Sequence, residues 1–127
     1  MRAVDGGVLM EGHQGLVVWQ KATDLVIEIY RLTKTFPKSE TYGLASQMQR
    51  AAVSIPSNIA EGHALKQTQA YGRHLAIANG SLAELETQLE IARRLGYFTV
   101  EKESVIERAN EIGRMLAGLR KSLQSLA

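Results

Sequence analysis

Cysteine is absent from this chain, which excludes disulfide stapling, thiolate metal sites and cysteine nucleophiles. Aromatic residues are scarce, at 6% of 127 residues, and Trp19, Tyr30 and Phe36 follow an apolar stripe rather than forming a base-stacking platform. No apolar run approaches the roughly 20 residues that span a bilayer. The first residues also lack the long apolar stretch of a secretory signal, so a cytoplasmic protein without membrane contact is the expectation. Neither sign of charge dominates: 15 Lys and Arg face 13 Asp and Glu, a net of +2. That mild basicity suits a polyanion partner without demanding one. An alternating strand pattern is missing throughout.

What remains is helical. Hydrophobic residues at 45% and charged residues at 22% are those of a globular chain, and the length is that of one domain. Residues 1–15 carry Gly6, Gly7, Gly12 and Gly15 and no period, and read as a flexible lead-in. Residues 16–127 read as the folded domain. From Leu16 to Lys34 apolar residues fall at Trp19, Ala22, Val26, Ile29 and Thr33, widened by Leu25 and Tyr30. Phe36-Pro37 stops that helix, because a residue before proline is pushed out of the α region.

Ser39 is a candidate cap for a second helix with Glu40 in its first turn. Its buried face is Leu44, Met48, Ala51, Ile55 and Ile59, with Pro56 inside and Gly62 as a left-handed exit. Tyr71, Leu75, Ala78, Leu82, Leu85, Leu89 and Ala92 mark a third helix, which Gly96 stops. With Thr99 as candidate cap, Val105, Ala109, Ile112, Leu116, Leu119, Leu123 and Leu126 mark a fourth. Short links make sequential helices antiparallel, which predicts an all-α, up-down-up-down four-helix bundle. The competing arrangement is a coiled coil between chains, and four stripes on short links bury themselves more readily within one.

Catalytic patterns do not emerge. A di-iron bundle needs Glu-x-x-His on two helices, and none of His13, His63 and His74 follows a glutamate by three. There is no Gly-x-Ser-x-Gly elbow and no phosphate loop followed by lysine. No enzyme, no cofactor, no metal and no small-molecule substrate are therefore expected. The one dense polar constellation places Gln47, Arg50, Ser54, Ser57, Asn58 and Glu61 opposite Glu84, Glu86 and Gln88. Arg50 with Glu84 or Glu86 would be a partly buried pair. The constellation reads either as a ligand pocket or as a structural network that sets helix register, and the second is preferred.

Specific strings accompany this pattern: Ser54-Ile-Pro-Ser-Asn-Ile-Ala-Glu-Gly62, Val18-Trp19, Tyr42-Gly-Leu44, Arg50-Ala-Ala-Val-Ser54 and Glu84-Leu-Glu-Thr-Gln-Leu89. In them the chain, from about Leu16 to Leu123, resembles the bundle proteins encoded in intervening sequences of bacterial large-subunit ribosomal RNA genes. That family is similar to the accessory variability protein of diversity-generating retroelements. The resemblance implies a homo-oligomer, a pentameric ring, whose basic surface in the retroelement relatives binds nucleic acid and a reverse transcriptase. Where the family carries several cations near residues 63–69, this chain reads His63-Ala-Leu-Lys-Gln-Thr-Gln69, which weakens the case for strong polyanion binding.

Sorting charges by bundle end puts Lys21, Lys66, Arg73, Arg114, Arg120 and Lys121 together against only Asp24 and Glu61. The opposite end balances Arg31, Lys34, Lys38, Arg93, Arg94 and Lys102 against Glu40, Glu90, Glu101, Glu103 and Glu107. The positive end is a candidate contact for the phosphate backbone of RNA or DNA. Complementation of helix dipoles by Arg120 and Lys121 explains part of it equally well. The alternative function is a scaffold with a polypeptide partner. Val53, Leu65, Ile77 and Ile91 lie off the buried stripes and are candidates for a subunit contact.

Overall fold

The computed structural model describes residues 3–4, 8–9, 12–99 and 104–126. Four α-helices fill most of that span: α1 Val17–Thr33, α2 Leu44–Ala64, α3 Thr68–Arg94 and α4 Val105–Gln124. Single 3-10 turns precede α1 at Gly12–Gly15 and α2 at Lys38–Glu40. Within the lead-in, Ala3–Val4 pairs antiparallel with Val8–Leu9. This two-residue ladder is too short to show alternation, although Gly6-Gly7 between two valines is a hairpin signal.

Residue contacts across each interface set the topology. Ser54 meets Ser81 and Asn58 meets His74 between α2 and α3. Lys21 meets Glu111 and Glu28 meets Arg108 between α1 and α4. Thr33 meets Gln49 between α1 and α2, and Gly113 lies beside Leu82 between α3 and α4. In the first two interfaces, where two pairs are available, later residues of one helix meet earlier residues of the other. Those neighbours run antiparallel, and the short α1–α2 and α2–α3 connections fit the same alternation. All four helices feed one core, in which Leu25, Ile29, Met48, Ile55, Ile59, Leu75, Leu85, Leu89, Ile112 and Leu116 are essentially sealed from solvent. Each such side chain contributes about 1.5–3 kcal/mol of burial. The four stripes are consumed inside one chain, so none is left over for the inter-chain coiled coil.

Several boundaries differ from the sequence reading, each for a local reason. In α1 the buried residues are Val18, Ala22, Leu25, Ile29 and Thr33, whereas Trp19 and Val26 are half-buried and Tyr30 is exposed. The apolar arc of α1 is wider than the surface α2 and α4 cover, and the neighbours choose which part goes inside. Helix α2 starts at Leu44, and Ser39 lies in the preceding 3-10 turn instead of capping it. Glu40 does the capping: its Oε1 accepts from the Leu44 N–H at 3.0 Å.

The α2 helix runs unbroken through Pro56 and through Gly62, which is a buried helical residue and no exit. Lys66 takes the left-handed position instead, at φ 55°. At the end of α3 the expected stop holds: Gly96 has φ +80°, and the N–H groups of Gly96 and Tyr97 donate to the carbonyls of Arg93 and Ala92. Thr99 lies outside any helix, and Ser104 caps α4 through a reciprocal box with Glu107. Lys102, Glu101 and Glu103 fall outside the described residues.

Gly62 is glycine because α3 passes too close for anything larger. A Cβ there would stand 2.7 Å from the His74 Cβ and 3.0 Å from Tyr71 Cδ1, on a stiff neighbouring helix. Gly62→Ala is expected to lower the free energy of unfolding by about 1–3 kcal/mol. Gly80→Ala, whose added methyl meets nothing within 4 Å, is expected to raise it by about 0.5–1 kcal/mol. Urea unfolding midpoints of the two variants provide the check, and equal effects would contradict the packing argument.

Candidate functional site

The polar residues of α2 and α3 do come together, in a different set from the one the sequence suggested. The Asn58 Nδ2 donates to the Ser54 carbonyl at 2.9 Å and to Ser54 Oγ at 3.1 Å. Its Oδ1 therefore acts as acceptor, 3.0 Å from His74 Nδ1, which makes Nδ1 the protonated ring nitrogen. Ser54 Oγ and Ser81 Oγ lie 2.7 Å apart. A four-residue chain, His74–Asn58–Ser54–Ser81, thus stitches the two helices in the half-buried layer beside Gly62. His74 and Ser81 were not singled out from the sequence for this network. Their signal is the antiparallel register, in which residues near 54 and 58 face those near 81 and 74.

Arg50, by contrast, is exposed and has no ion pair among the described residues. The partly buried pairing of Arg50 with Glu84 or Glu86 does not form. Glu84 instead accepts from Gln88 Nε2 on its own helix at 3.2 Å, Glu86 is half-buried, and Glu61 and Ser57 are exposed. The reason is geometric: Arg50 sits on the outer edge of α2, where water solvates a guanidinium better than a distant carboxylate does. Tyr71, next to this network, has a buried hydroxyl without a partner among the described residues, and burial pushes its pKa above the usual phenol value. Its ring meets His63 edge-on with centroids 5.7 Å apart.

The six cations assigned to one end separate into four situations. Arg73 and Arg120 converge on a groove of about 500 Å³ between the start of α3 and the end of α4, with Gly72, Ala76 and Leu123 also in its wall. Among the described residues no carboxylate lines it. Lys66, in the α2–α3 turn, and Lys121, beside Arg120, are exposed. Lys21 is engaged by Glu111 at 3.3 Å on the α1–α4 seam. Arg114 lies six residues before Arg120, roughly 240° around the helix, in a shallow depression with Glu107, Arg108 and Glu111. Val53, Leu65, Ile77 and Ile91 are all exposed.

At the opposite end one carboxylate pairs with two of the cations. Glu90 accepts from Arg93 at 2.7 Å and from Arg94 at 2.7 Å. Those bonds, Arg93 first, hold its carboxyl down at about 2. The Glu40 carboxyl is also lowered, by the Leu44 N–H and then by the Tyr97 hydroxyl, which donates to it at 2.8 Å. Among the described residues no three His, Asp or Glu side chains come together as a metal-ligand set. No described helix is long and apolar enough to cross a membrane.

With this geometry in view, comparison with known proteins is informative. The model of the 23S rRNA-intervening sequence protein family matches residues 14–118. Among solved structures the chain is similar to a Bacteroides thetaiotaomicron VPI-5482 protein of unknown function from the S23 ribosomal protein family. The two share 28% identity with a TM-score of 0.76, over 83% of this chain and 96% of that one. No functionally curated protein matches.

Two expectations follow from the charge placement. Asn58→Ala, which strips partners from Ser54 and His74, is expected to cost about 1–3 kcal/mol, while Arg50→Ala stays within about 0.5 kcal/mol. Denaturant titration separates them, and a clear loss in the Arg50 variant would restore the buried pair. The Glu90 carboxyl, depressed from 4.5 to about 2, adds stability above its unfolded pKa that disappears as pH falls through the folded one. The melting temperature of the wild type should therefore fall more between pH 4.5 and 2 than that of Glu90→Gln. Parallel curves for the two proteins would remove this linkage.

Proposed function

The chain belongs to the 23S rRNA-intervening sequence protein family, and from that premise we propose that it is a non-enzymatic, homo-oligomeric bundle that contacts the phosphate backbone of RNA or DNA through one end. The observation that carries this reading is the convergence of Arg73 and Arg120 on one groove that no carboxylate lines among the described residues. Four other cations of the bundle are answered: Lys21 by Glu111, Arg108 by Glu28, Arg93 and Arg94 by Glu90. Cations left without a counter-charge are the ones that release counterions from a polyanion.

Lys66 adds weight. It occupies a left-handed backbone position, where a residue with a Cβ costs roughly 1–2 kcal/mol and glycine is favoured. A lysine kept there is exposed in the turn beside the start of α3. The exposed apolar residues Val53, Leu65, Ile77 and Ile91 support assembly, and a pentameric ring would repeat the positive end five times around its axis. Recognition would be of backbone and not of base, since the groove carries no aromatic side chain. A scaffold for a polypeptide partner is the second reading, favoured by the same exposed apolar residues.

Under this reading the six cations contribute unequally. The double variant Arg73→Glu/Arg120→Glu should lose retention on labelled single- and double-stranded oligonucleotides at about 50 mM salt, and the wild type should lose it steeply by about 200 mM. Lys21→Gln should change little, because Lys21 is already held by Glu111. Gel-shift titrations across that salt range provide the measurement. Failure of the assembled wild type to bind either nucleic acid at low salt would falsify the reading, and sedimentation equilibrium tests the assembly independently.

A further inference from the structure

Phosphate binding accounts for the two arginines of the α3–α4 groove and leaves its floor unexplained. Between Arg73 and Arg120 the wall is aliphatic, formed by Ala76 and Leu123 with the bare backbone of Gly72, next to which an added Cβ would meet nothing within 4 Å. Leu123 is half-buried against the core, so the floor is anchored to the packed interior. Gln69 and Gln124 also line it. Each offers an amide that can both donate and accept, as a peptide backbone requires.

We propose that this groove is a docking site for a polypeptide segment that presents an aliphatic side chain between carboxylates. The aliphatic side chain would lie over Gly72 and Ala76 against Leu123, and the flanking carboxylates would pair with Arg73 and Arg120. Charge complementarity selects an acidic segment over a neutral or basic one, since among the described residues two arginines and no acidic side chain line the groove. The dimensions agree. Gly72 to Ala76 is roughly one turn of helix, about 6 Å at 1.5 Å per residue, which is room for one aliphatic side chain. The partner so recognised is distinct from nucleic acid in what it requires: both need the arginines, and only the peptide needs the apolar floor.

The test uses a fluorescein-labelled peptide in which leucines are flanked by aspartate and glutamate, a control with serine for leucine, and a control with lysine for the acids. Fluorescence anisotropy on the full chain should show saturable binding of the first peptide with a Kd on the order of 10 µM. Each control should bind at least about tenfold more weakly, and so should Leu123→Gln and Arg73→Glu. Arg73 is exposed, so its variant keeps the test open should Leu123→Gln unfold, and circular dichroism establishes which variants remain helical. Oligonucleotide retention by Leu123→Gln should be unchanged, which separates this proposal from the nucleic-acid reading.

Absence of saturable binding by the folded wild type overturns the proposal. Equal binding of the leucine and serine peptides overturns it too, by reducing the groove to surface charge. Displacement of the peptide by dodecanoate at comparable concentration reassigns the groove to small anionic amphiphiles and likewise removes the polypeptide.

Discussion

The close passage of α2 over α3 at Gly62 is the constraint on which the rest of the molecule depends. With no side chain at that point, the α2 backbone lies against the His74 Cβ and the Tyr71 ring. Only at that separation can Asn58 bridge His74 and Ser54, and Ser54 reach Ser81 at 2.7 Å. The four polar groups then act as a register key: a slip of one turn, about 5.4 Å, would break both bonds that cross between the helices, Ser54–Ser81 and Asn58–His74, and leave half-buried donors and acceptors unpaired. Apolar packing tolerates such slips far better than a hydrogen-bonded chain does.

Register at this interface propagates to both ends of the bundle. At one end it sets the C-terminal turn of α3 over the α1–α2 connection, where Tyr97 stacks against Phe36 at 5.1 Å and bonds the carboxylate of Glu40 that caps α2. Arg93 and Arg94 there are both paired with Glu90. At the other end the same register places the start of α3 beside the end of α4, and Arg73 and Arg120 arrive at one groove. The α1–α4 seam closes the ring with two cross-helix pairs, Lys21–Glu111 and Arg108–Glu28. The bundle is therefore electrostatically asymmetric in detail, although its net charge is close to zero.

Helix existence was legible because the apolar period is long and regular, above all in α3, where Leu75, Ala78, Leu82, Leu85, Leu89 and Ala92 are all buried as the spacing implies. Helix starts were less legible. Ser39 and Thr99 have the right chemistry for caps, but a serine and a glutamate three apart, Ser104 and Glu107, make the box that begins α4. Capping by Glu40 from four residues before Leu44 belongs to no simple N-cap pattern, since the side chain reaches across a 3-10 turn. The polar network was half legible: Ser54 and Asn58 stood out on α2, while their partners His74 and Ser81 depend on a register known only after packing.

The order of apolar and polar residues along the chain determined that four helices form, which faces turn inward, and that no cysteine or paired-histidine chemistry enters. Those are properties of local period and residue type, and they survive any arrangement of the helices. Tertiary structure alone decided which charges are answered. Lys21 and Arg120 look alike in sequence, yet one meets Glu111 and the other faces a groove that no carboxylate lines among the described residues. Coulomb attraction falls with distances that the chain acquires only when remote segments pack, so the location of unanswered charge cannot be written in the sequence of any single helix.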